Sequence, residues 1–333
     1  MITIKKKIFI FLFTIIILIF FIYLVFRRDF NNIITLIKNI TVFDVIILLI
    51  IGSCYQLLEA FGCYVLIKSQ KSQFTYHQAI ELTLLGTFSN IATSTAGTIP
   101  MQSYYLYKRG IKAGKGIGLI ILDSIFHKFA VFIYASIMLL FNIDWLYNTN
   151  NLLFRYILVG YVVYLLIIVG LILICSWSRI QDLLLWLMKK LPDNEKWQKR
   201  KADWKDNLAA LYQESRVVFK SFRTCLKVIL ADFVKLFFIY TIPLFCFQVV
   251  KCGQLSFIQI QVLSSIMLLI TGILPNVAGM GPAEVSFLLV FAPYMGIIEA
   301  TSAMIIYRLA TYFYPFVVSI FAFLKLEKEL LLQ

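Results

Sequence analysis

Leu274-Pro-Asn-Val-Ala-Gly-Met-Gly-Pro-Ala-Glu284 interrupts an apolar run that otherwise extends from 258 to 295. Two prolines and two glycines within eleven residues do not continue an α-helix: proline lacks the backbone donor, and glycine adds entropy and left-handed backbone. A similar interruption, Asn90-Ile-Ala-Thr-Ser-Thr-Ala-Gly-Thr-Ile-Pro100, divides the segment 78–109. The limb before it, 78–92, is only about 22 Å long at 1.5 Å per residue. A bilayer's hydrocarbon core is roughly 30 Å thick, so two short limbs joined by a Gly/Pro loop fit a re-entrant hairpin better than a span. Irregular backbone at membrane depth is tolerated only where it is buried in protein or lines a cavity.

Around these hairpins lie six uninterrupted apolar segments, roughly 8–26, 42–67, 116–141, 152–176, 225–250 and 299–324. Each is long enough to cross. The expected fold is all-α: a polytopic membrane helix bundle of six full spans plus two re-entrant helical hairpins, or six to eight apparent transmembrane helices. The chain reads as one membrane domain over 1–333. The order span, span, hairpin, span occurs twice, in 8–141 and 152–324. Three spans separate the hairpins, so they enter from opposite faces. An offset of 182 residues sets Thr93 against Pro275, Ala96-Gly97 against Ala278-Gly279, Pro100 against Pro282 and Gln102 against Glu284. Inverted repeats with paired broken helices are a transporter signature, with the site near the midplane.

Charge placement agrees with this arrangement. With the N-terminus cytoplasmic, Lys68, Lys71, Lys108, Arg109, Lys112, Lys115, Lys325 and Lys328 all fall inside. The segment 177–227, with twelve Lys/Arg and six Asp/Glu, falls inside too. The loop 142–151, with Asp144 and no Lys or Arg, falls outside; only Arg27, Arg28 and Lys38 disagree with the positive-inside rule. Segment 8–26 behind Lys5-Lys6-Lys7 reads as a retained first span, because it is long for a signal h-region and has no small-x-small cleavage site. Both termini are expected in the cytoplasm of a multi-pass inner (plasma) membrane protein.

The net charge of +14 would point to nucleic acid in a soluble protein, but here the basic residues flank apolar spans, and no nucleic-acid partner is expected. The six cysteines form no CxxC pair, and no GxxxxGK[ST] loop occurs, so neither a metal nor a cofactor is expected. Between 177 and 223, Ile180, Leu183, Leu184, Leu187, Met188 and Leu191 follow helical spacing up to Pro192, with Trp197 and Trp204 beyond. That pattern reads as amphipathic helices on the cytoplasmic surface. Nothing in the composition argues against an oligomer.

Ionisable residues inside spans are costly and default to functional hypotheses. Glu59, Asp123 and His127, Asp232 and Lys235, and Arg308 are of this kind. Asp123 and His127 share a helical face and suit either a proton relay or an interfacial position. Asp232 and Lys235 read first as a structural ion pair. Arg308 stands near the centre of its helix, too deep to snorkel, and Glu284 is its leading partner. Two readings stay open: a plain structural pair, or a phosphate held by Arg308 and by backbone N–H groups at helix starts near Pro100 and Pro282. Asn90, Thr93, Thr98 and Gln102 supply polar groups at the first break, while Gly97, Gly279 and Gly281 permit tight backbone.

The stretch Pro100-Met-Gln-Ser-Tyr-Tyr-Leu-Tyr-Lys-Arg-Gly110 resembles the transmembrane region of the lysylphosphatidylglycerol synthase/flippase family. Gly279-Met-Gly-Pro-Ala-Glu284, Arg308 and Tyr312-Phe-Tyr-Pro315 resemble that family's second motif, and the resemblance runs over about 40–325. Thr93 stands where the family usually has Pro, Thr98 and Ile99 replace a Gly and a Gln, and Ser319 replaces a late Gly. The resemblance implies an inner-membrane protein that moves phosphatidylglycerol or its aminoacylated derivative between leaflets. Glu59, Asp123 and Glu284 would suit a cationic aminoacyl headgroup, and Arg308 its phosphate. Full-length relatives add a cytoplasmic lysyltransferase domain. This chain, ending at Gln333 after the last span, is expected to lack it, so a lysyltransferase role would need a separate catalytic partner. A small-solute or ion transporter of the same architecture is the remaining alternative.

Overall fold

The computed structural model describes residues 40–93, 95–149, 151–190, 195–252, 255–274 and 281–331. Among the described residues the chain is helical throughout, with helices α1 (Val42–Lys68), α2 (Tyr76–Ala92), α3 (Thr98–Lys108), α4 (Ala113–Thr149), α5 (Asn151–Ser176), α6 (Ser178–Lys189), α7 (Glu195–Phe219), α8 (Phe222–Val250), α9 (Phe257–Ile273), α10 (Pro282–Met295), α11 (Ile297–Arg308) and α12 (Tyr314–Leu331). A π-helical turn, Leu309–Phe313, joins α11 to α12. Five helices are long and apolar enough to cross a membrane: α1, α4, Phe154–Ser176 of α5, α8, and the continuous Ile297–Glu329. The expected first span, 8–26, lies outside the described residues. The fold is a polytopic helix bundle.

Both interrupted segments break where expected. α2 and α9 are each 17 residues long. That is about 26 Å at 1.5 Å per residue, short of a crossing. They also start alike. Thr75 and Gln78 form a capping box at α2, and Ser256 and Gln259 form one at α9. In each, the hydroxyl accepts the N3 amide while the glutamine carbonyl accepts the N-cap amide, satisfying two orphan donors. The starts of α1 and α8, α2 and α9, α3 and α10, and α4 and α11 are separated by 180, 181, 184 and 184 residues. The sequence offset of 182 is therefore matched by element order.

Two clusters form the core. One joins α4, α5, α8, α9, α10 and α11 around Tyr134, Tyr240, Phe247, Phe287, Phe291 and Tyr307. The other joins α1, α2, α3, α4 and α7 around Leu66, Leu82, Leu85, Tyr105 and Leu119. α1 and α8 form the most extensive helix pair. They run antiparallel, with Gly62 beside Ala231 and Asp232. Each hairpin packs chiefly on the spans rather than on its counterpart.

One expectation is corrected. The segment 142–151 is not a loop up to its end, because α4 continues to Thr149 across a kink at Asn142 (φ −132°, ψ 17°). The Asn142 side chain donates to the Met138 carbonyl at 3.0 Å, occupying an acceptor at the kink. Leu146, fully buried, and Trp145 packed against the core hold the extension in place. Within 177–223 the helices α6 and α7 form, and the second half of α7 packs against α4. A Cβ at Gly118 would stand 2.7 Å from the Ala210 carbonyl oxygen, so glycine permits the approach. The buried Ser215 hydroxyl donates to the Cys175 carbonyl at 2.9 Å, tying α7 to the end of α5.

Candidate functional site

Arg308 closes α11 directly before the π turn, and it is only 8% exposed. The turn has a local cause. Pro315 has no N–H for a helical bond, and the wide turn ahead of it directs the Tyr314 amide to the Leu309 carbonyl. π turns inside α-helices recur at functional sites. The guanidinium Nε and Nη2 both donate to Glu284 Oε1, each at 2.6 Å. Its carbon lies 4.8 Å from the centre of the Tyr312 ring. The other carboxylate oxygen of Glu284 accepts the Gly281 amide at 2.7 Å, capping α10. Gly281 sits at φ +92°, backbone that favours glycine, and buried Pro282 is the first helical residue. One carboxylate therefore serves both a mid-span cation and the start of a broken helix. Phe287, Phe291, Phe247 and Tyr307 pack together behind it and hold α10 against α8 and α11.

The first break is built from hydroxyls. Thr93 donates from Oγ1 to the Ser89 carbonyl at 2.7 Å and accepts the Gly97 amide at 2.6 Å. Thr93 thus bridges the end of α2 to the start of α3. Thr95 takes a left-handed conformation at φ +79°, and its amide donates to the Asn90 carbonyl at 2.8 Å. The buried Asn90 Oδ1 and Thr98 Oγ1 have no hydrogen-bond partner among the described residues. Gln102 donates to the Leu82 carbonyl at 3.1 Å and lies over Gly86, pinning the two limbs together. Pro100 and Thr93 are exposed on the protein surface. The helix-start amides expected to be open are therefore taken, Gly97 by Thr93 and Gly281 by Glu284. Gly279 lies outside the described residues.

α2 and α12 run antiparallel, since Glu81 meets Lys325 at 2.5 Å while Phe88 stacks on Phe316 and Phe323. Continued at that register, the end of α2 falls opposite Tyr314, just past the π turn. The same helix pair carries a junction that the sequence did not announce. Glu81 also accepts from Tyr105 at 2.5 Å and Arg109 at 3.3 Å, and Arg109 reaches Glu329 at 3.1 Å.

Glu59 and Asp123 do not join Arg308. Lys235, 2% exposed, lies 2.6 Å from Glu59 and bonds Asp232 on its own helix. The expected Asp232–Lys235 pair is thus one edge of a triad that crosses from α8 to α1. Asp123 and His127 of α4 lie within electrostatic range of the triad. Tyr55 of α1 is likewise in range of both the triad and Tyr307, the neighbour of Arg308. Tyr55 and Tyr307 escaped sequence reasoning, whereas Tyr312 lay in the Tyr312-Phe-Tyr-Pro315 stretch already singled out.

Membrane-spanning helices, two interrupted apolar segments and a buried arginine paired at a helix start define a multi-pass helical membrane protein. The chain belongs to the family described as the lysylphosphatidylglycerol synthase transmembrane region, whose model matches residues 10–319. The family's name ties the chain to lysylphosphatidylglycerol. No curated protein matches the sequence.

Proposed function

We propose that the protein translocates phosphatidylglycerol or its aminoacylated derivative between leaflets of the cell membrane, its termini cytoplasmic and its hairpins re-entrant from opposite faces. The observation that carries this reading is the Arg308–Glu284 pair at a broken-helix start. A charge at mid-membrane is retained only with a partner, and here the partner is a carboxylate that a lipid phosphate can replace. On displacement, Arg308 takes the phosphate, and the freed Gly281 amide at the α10 N-terminus becomes a second donor. The unpartnered Asn90 and Thr98 oxygens at the first break accept from headgroup hydroxyl or ammonium groups. Gly97, Pro100 and Gln102 at the first break and Pro282 at the second belong to the same reading of the site. In this reading Glu59 and Asp123, which do not join Arg308, would serve the cationic end of a lysylated headgroup rather than its phosphate. The family membership supports the lipid class.

The test is reconstitution of the purified chain into vesicles with a fluorescent phosphatidylglycerol analogue in both leaflets and a membrane-impermeant quencher outside. Quenching beyond one leaflet, faster than in empty vesicles, is the expected outcome. An unaltered plateau at one leaflet contradicts the proposal. Incorporation of labelled lysine into phosphatidylglycerol by the pure chain would instead favour a synthase.

A further inference from the structure

The triad at Lys235 does not balance its charge. Three carboxylates, Glu59 of α1, Asp232 of α8 and Asp123 of α4, face the single ammonium of Lys235. Counting Lys128, which neighbours His127 at the edge, still leaves more acids than cations. The remaining titratable groups facing the cluster are Tyr55 and Cys63 of α1 and His127 itself. An uncompensated carboxylate at membrane depth is costly and persists only with a partner, water or a bound proton. Protonation removes that cost at the expense of a hydrogen ion.

Geometry singles out where the proton sits. Glu59 and Asp232 both hold Lys235, whereas Asp123 has neither a hydrogen bond nor an ion pair among the described residues. Glu59, Asp123 and His127 are partly exposed, while Asp232 and Lys235 are buried. His127 lies one turn from Asp123, and its buried Nδ1 has no hydrogen-bond partner among the described residues. These side chains do not form a grouping that could hold a metal ion. We infer that the Glu59–Asp123–Asp232–Lys235 cluster is a proton-binding site, with Asp123 the proton carrier and His127 its relay to the outside of the cluster.

The site lies at a mechanical junction. The Lys235–Glu59 bridge crosses from α8 to α1, beside Gly62, where the two backbones come close. When Asp123 gives up its proton, the new carboxylate competes with Glu59 for Lys235. Loss of that bridge loosens α1 from α8, and α1 also carries Gly52, against which the π turn beside Arg308 packs. Proton binding is thereby linked to the arginine site through one helix. This goes beyond the proposed lipid movement and does not depend on it.

Infrared difference spectroscopy of the purified, lipid-reconstituted protein tests the inference, because a protonated carboxyl has its own carbonyl stretch. The background is Glu214→Gln, which removes a carboxyl outside the spans that burial biases toward its neutral form. At neutral pH a protonated-carboxyl band is expected. It should be lost in Asp123→Asn and shifted in His127→Gln, with monodisperse protein confirmed for each variant. Should Asp123→Asn not fold, Asp123→Glu keeps the group and moves the band frequency. Absence of the band, or a band unchanged by every substitution at 59, 123 and 232, overturns the inference. Neither result depends on lipid transport, so failure here and failure of the lipid reading are read separately.

Discussion

Glu284 bonds Arg308 with one carboxylate oxygen and the Gly281 amide with the other. A single side chain thus neutralises a mid-span cation and caps the helix that begins at the second break. Removing one partner of a buried pair leaves the other charge unpaired, at a cost of about 3–5 kcal/mol. Glu284→Ala and Arg308→Ala should each lower the thermal midpoint sharply. Arg308→Leu/Glu284→Leu should recover most of the stability while abolishing lipid movement. Thermal unfolding in detergent and the vesicle assay read the two effects separately. Full transport by the double variant would make the pair purely structural.

Gly52 of α1 meets the π turn at Ala310. A Cβ at position 52 would stand 2.7 Å from the Ala310 carbonyl oxygen, a backbone atom that cannot rotate away. Gly52→Ala should therefore destabilise by about 1–3 kcal/mol, the usual range for overpacking. Gly170→Ala, with nothing within 4 Å of its Cβ, serves as the control and should be neutral.

The spans were legible because roughly twenty apolar residues in a row have few alternatives to crossing, and the breaks were legible because Pro and Gly punctuate them. The Arg308–Glu284 pair was also within reach, since a mid-span arginine demands an acid. What escaped reading was contact between helices distant in sequence. Glu59 and Lys235 were each visible as buried charges, but nothing in their spacing states that α1 and α8 run antiparallel. The extension of α4 past Asn142 was hidden because Asn142, Asp144 and Asn148 look like turn residues. The docking of α7 on α4 was hidden because its charged face dominates the pattern, while Gly118 carries the contact.

The Thr93 hydroxyl makes two hydrogen bonds. Thr93→Val keeps the shape and removes both, leaving the Gly97 amide unpaired at a helix start. A loss of about 1–2 kcal/mol is expected, as for other N-terminal caps. Hydrogen exchange at Gly97 should accelerate, and unchanged exchange would contradict the role given to Thr93.

Glu214 of α7 is pushed above the usual carboxylate range, first by burial, with Lys115 at 3.9 Å opposing the shift. A carboxyl whose folded-state pKa is raised favours the folded state while protonated. Its contribution is complete below the unfolded pKa and is lost as pH rises through the folded one. The thermal midpoint should therefore fall with rising pH across that interval. Glu214→Gln should flatten the dependence, and an unchanged slope in the variant would assign the effect elsewhere.

Sidedness follows from the proposed topology. A single cysteine at exposed position 147, in a Cys-free background, should react with an impermeant reagent from outside the cell. A cysteine at 195 should react only after the cytoplasmic face is opened. Reaction of both from one side would end the inverted arrangement.

The central claim is that a lipid phosphate takes the place of Glu284 on Arg308. Cryo-electron microscopy of the protein in phosphatidylglycerol nanodiscs measures this directly. The account predicts phosphate density within about 4 Å of the guanidinium, with Glu284 turned away, in at least one class of particles. It also predicts loss of that density in Arg308→Lys, because an ammonium cannot reproduce the guanidinium fork. An intact Arg308–Glu284 contact in every class, with lipid phosphate resolved only at the membrane faces, would contradict it.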